Sequence, residues 1–241
     1  LGWVAVAIFA GVYVLVATER IHRVAAALGG AALVLGLGIV GSEEAFYSRE
    51  TGVDWDVIFL LLGMMLVVGV IRRTGVFEYV AIRSAKLARG RPYRVMVLLV
   101  LVTAIASALL DNVTTVLLVA PVTLLVCDRL GLKPIPFLIA EALASNIGGT
   151  ATLVGDPPNI IIASRADLSF VDFLVHLAPV VILILGSFLV LARFLFRSSL
   201  TGDPARAASL MSLDEREAIT DRPLLLRSGI VLAAILLGFL L

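Results

Sequence analysis

Long apolar runs recur along the whole chain, and they constrain its fold more than any other feature of the sequence. They cover residues 3–17, 24–40, 57–71, 95–110, 113–127, 135–163, 170–196 and 224–241. Several approach the roughly 20 residues that a helix needs to cross a hydrocarbon core of about 30 Å. Because lipid satisfies no backbone polar groups, we expect helices throughout. The pattern predicts an all-α, multi-pass membrane protein. We expect a polytopic helical bundle that is embedded in the lipid bilayer.

Composition supports this class and excludes others. The chain is 61% hydrophobic and 15% charged, whereas soluble domains are roughly 45 to 50% apolar and about 25% charged. A net charge of +1 argues against a nucleic-acid partner, which would require a basic surface. The single cysteine, Cys127, rules out an intrachain disulfide and argues against a thiolate metal cluster. We expect no cofactor beyond a coupling ion.

The two ends suggest a domain plan. Leu1 and Leu241 both lie inside apolar runs, so we expect a piece of a longer protein that lacks its C-terminal half. A polar stretch at residues 198–222 separates the last two apolar runs. We therefore predict a first transporter repeat at residues 1–197, a cytoplasmic linker at 198–222, and the start of a second repeat at 223–241.

Residues 95–127 are too long for one crossing. As a single helix these 33 residues would extend about 50 Å, well beyond the bilayer core. The only polar cluster inside them is Asp111-Asn112-Val113-Thr114-Thr115. Two arrangements fit this pattern. One is a re-entrant hairpin with its tip at Asp111, and the other is a crossing helix that is interrupted in the middle of the membrane.

Loop charges favour some topologies over others, because basic residues concentrate on the cytoplasmic side. With a hairpin at 95–127, 17 of the 19 Lys and Arg residues share one side, and only Arg49 and Arg165 lie opposite. If 95–127 and 135–163 both cross, the division is 10 against 9. If 95–127 crosses and 135–163 forms the hairpin, it is 15 against 4. Charge alone therefore leaves the first and third topologies open.

The segment at about residues 76–89 mixes apolar residues with Arg83, Lys86 and Arg89. We predict an interfacial helix on the basic, cytoplasmic side of the membrane. An ordinary charged loop is the alternative.

A second polar island runs from Ser145 to Asn159 inside another apolar segment. Pro157 and Pro158 donate no backbone hydrogen bonds, and three glycines accompany them, so we expect the helix to unwind between about Asn146 and Asp156. Unwound backbone in a membrane exposes carbonyls that can hold a cation, and helix N-termini that attract an anion. The substrate- and ion-binding candidates are Asp111, Asn112, Thr114, Thr115, Ser145, Asn146, Gly148, Gly149, Thr150, Asp156 and Asn159.

Several of these residues also have a structural interpretation. Asp111 could cap the second hairpin helix with Thr114 at its third position, and Asp156 could cap the helix that starts at the prolines. Asn112, Thr114 and Thr115 could satisfy exposed backbone at the hairpin tip. Glu141, five residues before Asn146, could be a proton-relay carboxylate or could pair with a distant basic residue. A carboxylate is costly in lipid in either case.

The two islands together resemble a known family. LDNVTTVLLVAPVT at residues 110–123, followed by IAEALASNIGGTATLVGDPPNIIIAS at residues 139–164, is similar to the arsenite permease, NhaD-type sodium/proton antiporter and P protein branch of the ion transporter superfamily. The superfamily also includes citrate and dicarboxylate carriers. The resemblance implies an inverted-repeat fold with one re-entrant hairpin, here about 95–127, and one broken helix, here about 135–163. It thereby favours the 17-to-2 topology.

Function follows from the same resemblance. It implies a secondary active transporter of a small ion, coupled to H⁺ or Na⁺, in the plasma membrane with its basic loops cytoplasmic; a homodimer stays open. Citrate or dicarboxylate symport is the alternative, although the dicarboxylate carriers have Ser-Asn-Thr at the hairpin tip where this chain has Asp111-Asn112-Val113. An intramembrane protease is a weaker alternative, since Gly155-Asp156 matches only part of the GxGD pattern and position 153 is Leu.

Overall fold

A computed structural model describes residues 2–48, 52–201, 211 and 214–240. Part of the predicted linker, at residues 202–210 and 212–213, lies outside the described residues. The chain divides into two compact units, Leu1–Asp56 and Val57–Leu241. These units are defined by contacts within the structure. The predicted boundary at residue 197 separates two sequence repeats, and it stays a prediction.

In its described residues, the first unit contains the helices α1 (Gly2–Ala17), α2 (Arg23–Gly36) and α3 (Ser42–Tyr47). Helices α1 and α2 pack against each other at Gly30, where an added Cβ would lie 2.4 Å from Cγ2 of Val12. A larger residue at position 30 would therefore require Val12 or one of the two helices to shift.

The second unit contains the polar islands. Its helices are α4 (Trp55–Arg72), which starts at the boundary, α5 (Val76–Leu87), α6 (Pro92–Leu109), α7 (Asn112–Leu130), α8 (Pro134–Gly149), α9 (Pro157–Ala166), α10 (Phe170–Leu195) and α11 (Arg222–Leu240). Among the described residues of this stretch, the 3₁₀ helices Arg197–Ser199 and Glu215–Ala218 precede α11. No strand occurs in the described part of the chain.

Within the described ranges, five helices are long and apolar enough to cross a membrane by length and composition, namely α4, α6, α7, α10 and α11. The predicted all-α, multi-pass class is confirmed. The predicted helix at 76–89 is also present, although it ends at Leu87 and Arg89 adopts a left-handed φ of 53°. Its apolar face, including Ala81 and Ala85, is buried in the main core. Its location at the membrane interface stays a prediction.

Helix α7 runs antiparallel to α8. Asn112 near the start of α7 contacts Asn146 near the end of α8, and Thr123 farther along α7 contacts Glu141 farther back on α8. Position along one helix therefore increases as position along the other decreases.

Helix α6 runs parallel to α8. Ala104 lies against Gly148, and the carbonyl of Ala108 accepts a hydrogen bond from Thr152 just beyond the end of α8. Because α6 and α7 run in opposite directions and contact each other, residues 95–127 form a helical hairpin with its tip at Leu110 and Asp111. Both topologies in which 95–127 crosses once are wrong. Each arm is long enough to cross a membrane, so a re-entrant placement stays a prediction.

The linker contacts the basic end of the second unit. Glu215 Oε2 lies 2.5 Å from Nζ of Lys86 on α5, and Glu215 Oε1 lies 3.4 Å from Arg83. Thr220 donates hydrogen bonds to the carbonyls of Arg73 and Thr74 at the end of α4. The segment before α11 therefore lies against α5 and against the end of α4, and the side of the membrane that these loops occupy stays a prediction.

Candidate functional site

The helix break separates α8 from α9. Helix α8 continues to Gly149, Thr150 is its C-cap, and α9 begins at Pro157. The helix was predicted to unwind between about Asn146 and Asp156, and the break lies within that range, although it starts only at Thr150, since Asn146 and both glycines remain helical. The proline pair interrupts backbone hydrogen bonding only just ahead of itself, and tight packing against α6 holds the glycine-containing turn.

The close packing of α6 against α8 and the break requires glycine at positions 148 and 155. A Cβ at Gly148 would lie 2.1 Å from the carbonyl oxygen of Ala104, and one at Gly155 would lie 2.7 Å from that of Ser107. Ser107 also donates a hydrogen bond from Oγ to the carbonyl of Ser145, at 2.7 Å. The backbones of α6 and of the break are therefore in direct contact.

Asn159, in the first turn of α9, binds main-chain carbonyls of α8 and of the break. Its Nδ2 donates to the carbonyl oxygens of Gly149, at 3.1 Å, and Thr152, at 2.9 Å. Thr152 Oγ1 donates to the carbonyl of Ala108 and accepts from the amide of Gly155. Leu153 and Val154 are buried in a second apolar cluster. Irregular backbone is stable in this part of the protein because protein groups satisfy it.

The sequence interpretation overlooked Ser107 and Thr152 as components of the site. Ser107 lies one turn before Asp111 and is a polar residue in an apolar run, which was the available signal. Thr152 lies inside the polar island. Both side chains hold main-chain carbonyls, so they position the break.

The hairpin tip has the predicted cap. Asp111 is the N-cap of α7, and its Oδ1 accepts a hydrogen bond from the amide of Thr114 at 2.8 Å. Thr115 is buried, and its Oγ1 donates to the carbonyl of Asp111 at 2.9 Å. The capping role of Asp111 is confirmed, and it leaves the second carboxylate oxygen outside the cap.

Asp156 occupies the N-cap position of α9, as predicted, but its side chain makes no capping hydrogen bond. Pro157 and Pro158 have no N–H group to donate, and the amide of Asn159 bonds to the main-chain carbonyl of Asp156. The carboxylate is therefore available for another interaction. Asp111, at the hairpin tip, and Asp156, at the end of the break, are the carboxylates of the two polar islands.

The two polar islands meet through a pair of asparagines. Nδ2 of Asn112 on the hairpin donates to Oδ1 of Asn146 on α8, at 2.9 Å. Asn146 and Thr150 are exposed, and Asn112 is half-buried. Four predicted site residues, Asp111, Asn112, Asn146 and Asp156, thus lie at or between the two tips. The carbonyls of Ser145, Gly148 and Gly149 already accept hydrogen bonds, so they are poorer ion ligands than their position in the sequence suggested.

Glu141 lies outside this group. It is fully buried in α8, about 7.5 Å along the helix axis from Asn146 at 1.5 Å per residue. Thr123 Oγ1 on α7 donates to Glu141 Oε1 at 2.5 Å, while Oε2 makes no hydrogen bond with any described residue. Among the described contacts, the partner of Glu141 is the hydroxyl of Thr123. The interpretation in which Glu141 pairs with a distant basic residue has no support there.

Comparison with known proteins places this arrangement in a family. Residues 13–241 match the family described as citrate transporter, CitMHS. The chain belongs to that family. It is 58% identical, over 98% of its length, to an uncharacterized transporter of Mycobacterium tuberculosis, and 59% identical, over 98%, to a 46 kDa membrane protein of Mycobacterium leprae. Each match covers 55% of the relative.

The human P protein is 41% identical over 199 residues, which are 80% of this chain and 24% of that protein. The resemblance to the P protein branch is therefore confirmed. This citrate transporter family chain spans about half the length of the curated mycobacterial relatives it matches.

A metal or coupling ion would need oxygen ligands from neutral groups as well as carboxylates. Among the described residues of this citrate transporter family chain, no cluster of three or more His, Cys, Asp or Glu side chains could hold a metal ion. Hard cations such as sodium bind to oxygen ligands. The asparagine and hydroxyl oxygens at the tips have that chemistry.

Proposed function

We propose that this chain forms one half of a secondary active transporter that moves a small ion in exchange for, or together with, H⁺ or Na⁺. The observation that carries the proposal is the hydrogen bond between Asn112 and Asn146. It joins the hairpin tip to the last turn of α8, directly before the helix break, and discontinuous helices of this kind form substrate sites in transporters. Membership of the citrate transporter family supports the same class of function.

The charges at the tips favour a cation or a proton as the coupling species. Asp111 and Asp156 are the carboxylates of the two tips, and two nearby carboxylates repel each other less when a cation lies between them or when one of them binds a proton. Binding of the coupling ion would then stabilise the contact between hairpin and break. Coupling follows if the substrate requires that same contact.

Citrate or another carboxylate is the second candidate substrate, because the matching family is described as citrate transporter. Two carboxylates at the tips disfavour the binding of a multivalent anion unless a cation or proton binds first. Carboxylate transport would therefore require coupled binding, whereas sodium/proton antiport would need only the acidic pair. Measuring the flux of each candidate ion distinguishes the substrate from the coupling ion.

The test uses the full-length protein, reconstituted in vesicles, with imposed proton or sodium gradients. Asp156→Asn is expected to reduce coupled flux strongly, since it removes one charge while keeping the shape of the side chain. Asp167→Asn is the matched control. Asp167 is exposed at the end of α9 with a left-handed φ of 53°, a conformation that asparagine tolerates.

Flux measured with sodium, with citrate and with a pH-sensitive dye distinguishes the candidates. Antiport predicts proton release on addition of sodium without citrate, and symport predicts citrate uptake that requires the gradient. Flux that persists after both gradients are collapsed would refute coupled transport. Equal flux in the Asp156→Asn and Asp167→Asn variants would show that the acidic pair does not form the site.

A further inference from the structure

Four arginines surround one open cavity at the basic end of the second unit. The cavity has a volume of about 430 Å³, and its lining includes Arg91 and Arg94 at the start of α6, and Arg193 and Arg197 at the end of α10. It lies at the opposite end of α6 from the hairpin tip, so it is separate from the transport site proposed above. We refer to it as the arginine pocket.

A tyrosine orders one side of the arginine pocket. The guanidinium carbon of Arg193 lies 5.3 Å from the centre of the Tyr93 ring, within the range of a cation–π interaction. Tyr93 in turn donates its hydroxyl to the carbonyl of Leu189, at 3.0 Å. This arrangement links α6 to α10 and holds the Arg193 side chain at the pocket.

The positive charge in the pocket is not neutralised by the described residues. Within the described ranges, the acidic residue that pairs with arginine or lysine at this end of the protein is Glu215, and it contacts Arg83 and Lys86. None of the four pocket arginines forms a described ion pair. Four guanidinium groups and the N-terminus of α6 therefore favour an anion. Guanidinium groups can bind phosphate oxygens in a bidentate manner.

The surroundings of the arginine pocket indicate where such a phosphate comes from. Phe194 and Leu195 are 69% and 61% exposed beside the basic residues of α10, and α10 is a candidate membrane span. A ligand with a phosphate in the pocket would have its apolar part against this exposed surface. The side is also the one on which the basic loops collect, where anionic lipids are attracted to clustered arginines.

We propose that the arginine pocket binds the phosphate headgroup of an anionic phospholipid, with the acyl chains along the exposed apolar side of α10. The bound lipid would join α6, the first arm of the hairpin, to α10. The proposal requires no particular transported ion, so it can be correct even if the proposed transport function is not.

The experiment measures lipid retention and heat stability of the full-length purified protein. Phosphatidylglycerol is expected to remain bound in native mass spectrometry and to raise the melting temperature, whereas phosphatidylcholine is not. The double variant R94Q/R197Q is expected to bind phosphatidylglycerol about 25-fold more weakly, at about fivefold for each arginine near a membrane surface.

Two further variants separate recognition from general charge or misfolding. Arg129→Gln removes an exposed charge at the end of α7, outside the pocket lining, and is expected to retain the lipid. R94K/R197K keeps the charge but loses bidentate geometry, and is expected to bind with intermediate affinity. Its folding, checked by size-exclusion chromatography, also shows whether these positions tolerate change.

Equal phosphatidylglycerol retention by wild type and R94Q/R197Q would overturn the proposal. So would equal losses in R94Q/R197Q and Arg129→Gln, which would indicate nonspecific attraction. Inorganic phosphate that stabilises the protein as strongly as the lipid, at equal phosphate concentration, would overturn the lipid assignment and identify a soluble anion site.

Discussion

Asn112 Nδ2 lies 2.9 Å from Asn146 Oδ1, and this hydrogen bond is a direct side-chain contact between the hairpin tip and the last turn of α8. Asn146 is also tied to its own helix, since its Nδ2 donates to the carbonyl of Ala142. The amide of Asn146 is therefore fixed in orientation and presents its oxygen to the hairpin. A contact between the hairpin tip and the last turn of α8 is a natural point for a bound ion to act.

Replacing either asparagine should impair transport through the same lost contact. We expect Asn112→Ala and Asn146→Ala each to reduce initial flux by about fivefold, since a hydrogen bond contributes about 1 kcal/mol. The double variant should be little worse than the more impaired single variant, because both changes remove one interaction. The measurement is a double-mutant cycle on flux in vesicles.

Ser187→Ala serves as the control for that cycle, because Ser187 is exposed on α10 and bonds only to its own helix at Leu183. Its flux should match that of wild type. Losses that simply add in the double variant would contradict a shared role for the two asparagines.

Gly148 should not tolerate alanine. An added Cβ would lie 2.1 Å from the carbonyl oxygen of Ala104, and a backbone atom cannot move aside as a side chain could. We expect Gly148→Ala to destabilise the protein by about 1 to 3 kcal/mol, as overpacking does, measured as a lower melting temperature in detergent. Gly186→Ala, in α10 where nothing lies within 4 Å, should be neutral or slightly stabilising. Similar melting temperatures for both variants would disprove the close contact between α6 and α8.

Glu141 provides a test of proton transfer. If it carries the coupling proton, Glu141→Gln should slow proton-coupled flux by about 100-fold or more, the usual cost of losing a positioned proton-transfer group, and should flatten the dependence of flux on pH. Glu78→Gln makes the same chemical change at an exposed position on α5 and should change neither. An unaltered pH profile in Glu141→Gln would leave the Thr123 contact as a structural interaction only.

Acid should release the linker from α5. The hydrogen bond from Lys86 lowers the pKa of Glu215 below its ordinary value, so the interaction stabilises the folded state at pH values above the unfolded pKa of about 4.3. It is lost as the pH falls through the lower, folded-state pKa. Spin labels on α5 and on the linker should therefore move apart in acid.

The matched variants for this test are Glu215→Gln and Glu217→Gln. Glu215→Gln should show the separated distance already at neutral pH, because the ion pair is absent. Glu217 is exposed, and its replacement should preserve the wild-type pH dependence. A distance that does not change between neutral and acidic pH in wild type would contradict the role of Glu215.

Much of the fold was predictable because lipid imposes simple requirements. The apolar runs at 95–110 and 113–127 correspond closely to α6 and α7, since each must satisfy its own backbone inside the membrane. Asp111 was predictable as a cap because local backbone geometry, and not distant packing, decides a helix start. Loop charge predicts that the two most basic loops share a side, and this stays a prediction, while the contact of Lys86 with Glu215 places the linker against α5.

The site was less predictable, since its details depend on residues that are distant in sequence. Nothing near Asn146 indicates that α8 continues to Gly149; that outcome depends on Gly148 packing against the backbone of α6. Likewise Asn159 was predicted as an ion ligand, whereas its side chain holds the carbonyls of Gly149 and Thr152. Its role as an ion ligand stays a prediction.

By itself, the sequence determined the membrane class, the helical segments and the two places where helices must stop, because hydrophobicity and the missing N–H of proline act locally. Tertiary structure decided which polar groups remain available. Hydrogen bonds donated by the side chains of Ser107 and Asn159 engage carbonyls that the sequence suggested were free, while the proline pair leaves the Asp156 carboxylate without a capping partner. Competition among groups for a limited set of buried partners is a property of the packed molecule, and it selects the Asn112–Asn146 contact and the two carboxylates as the candidate site.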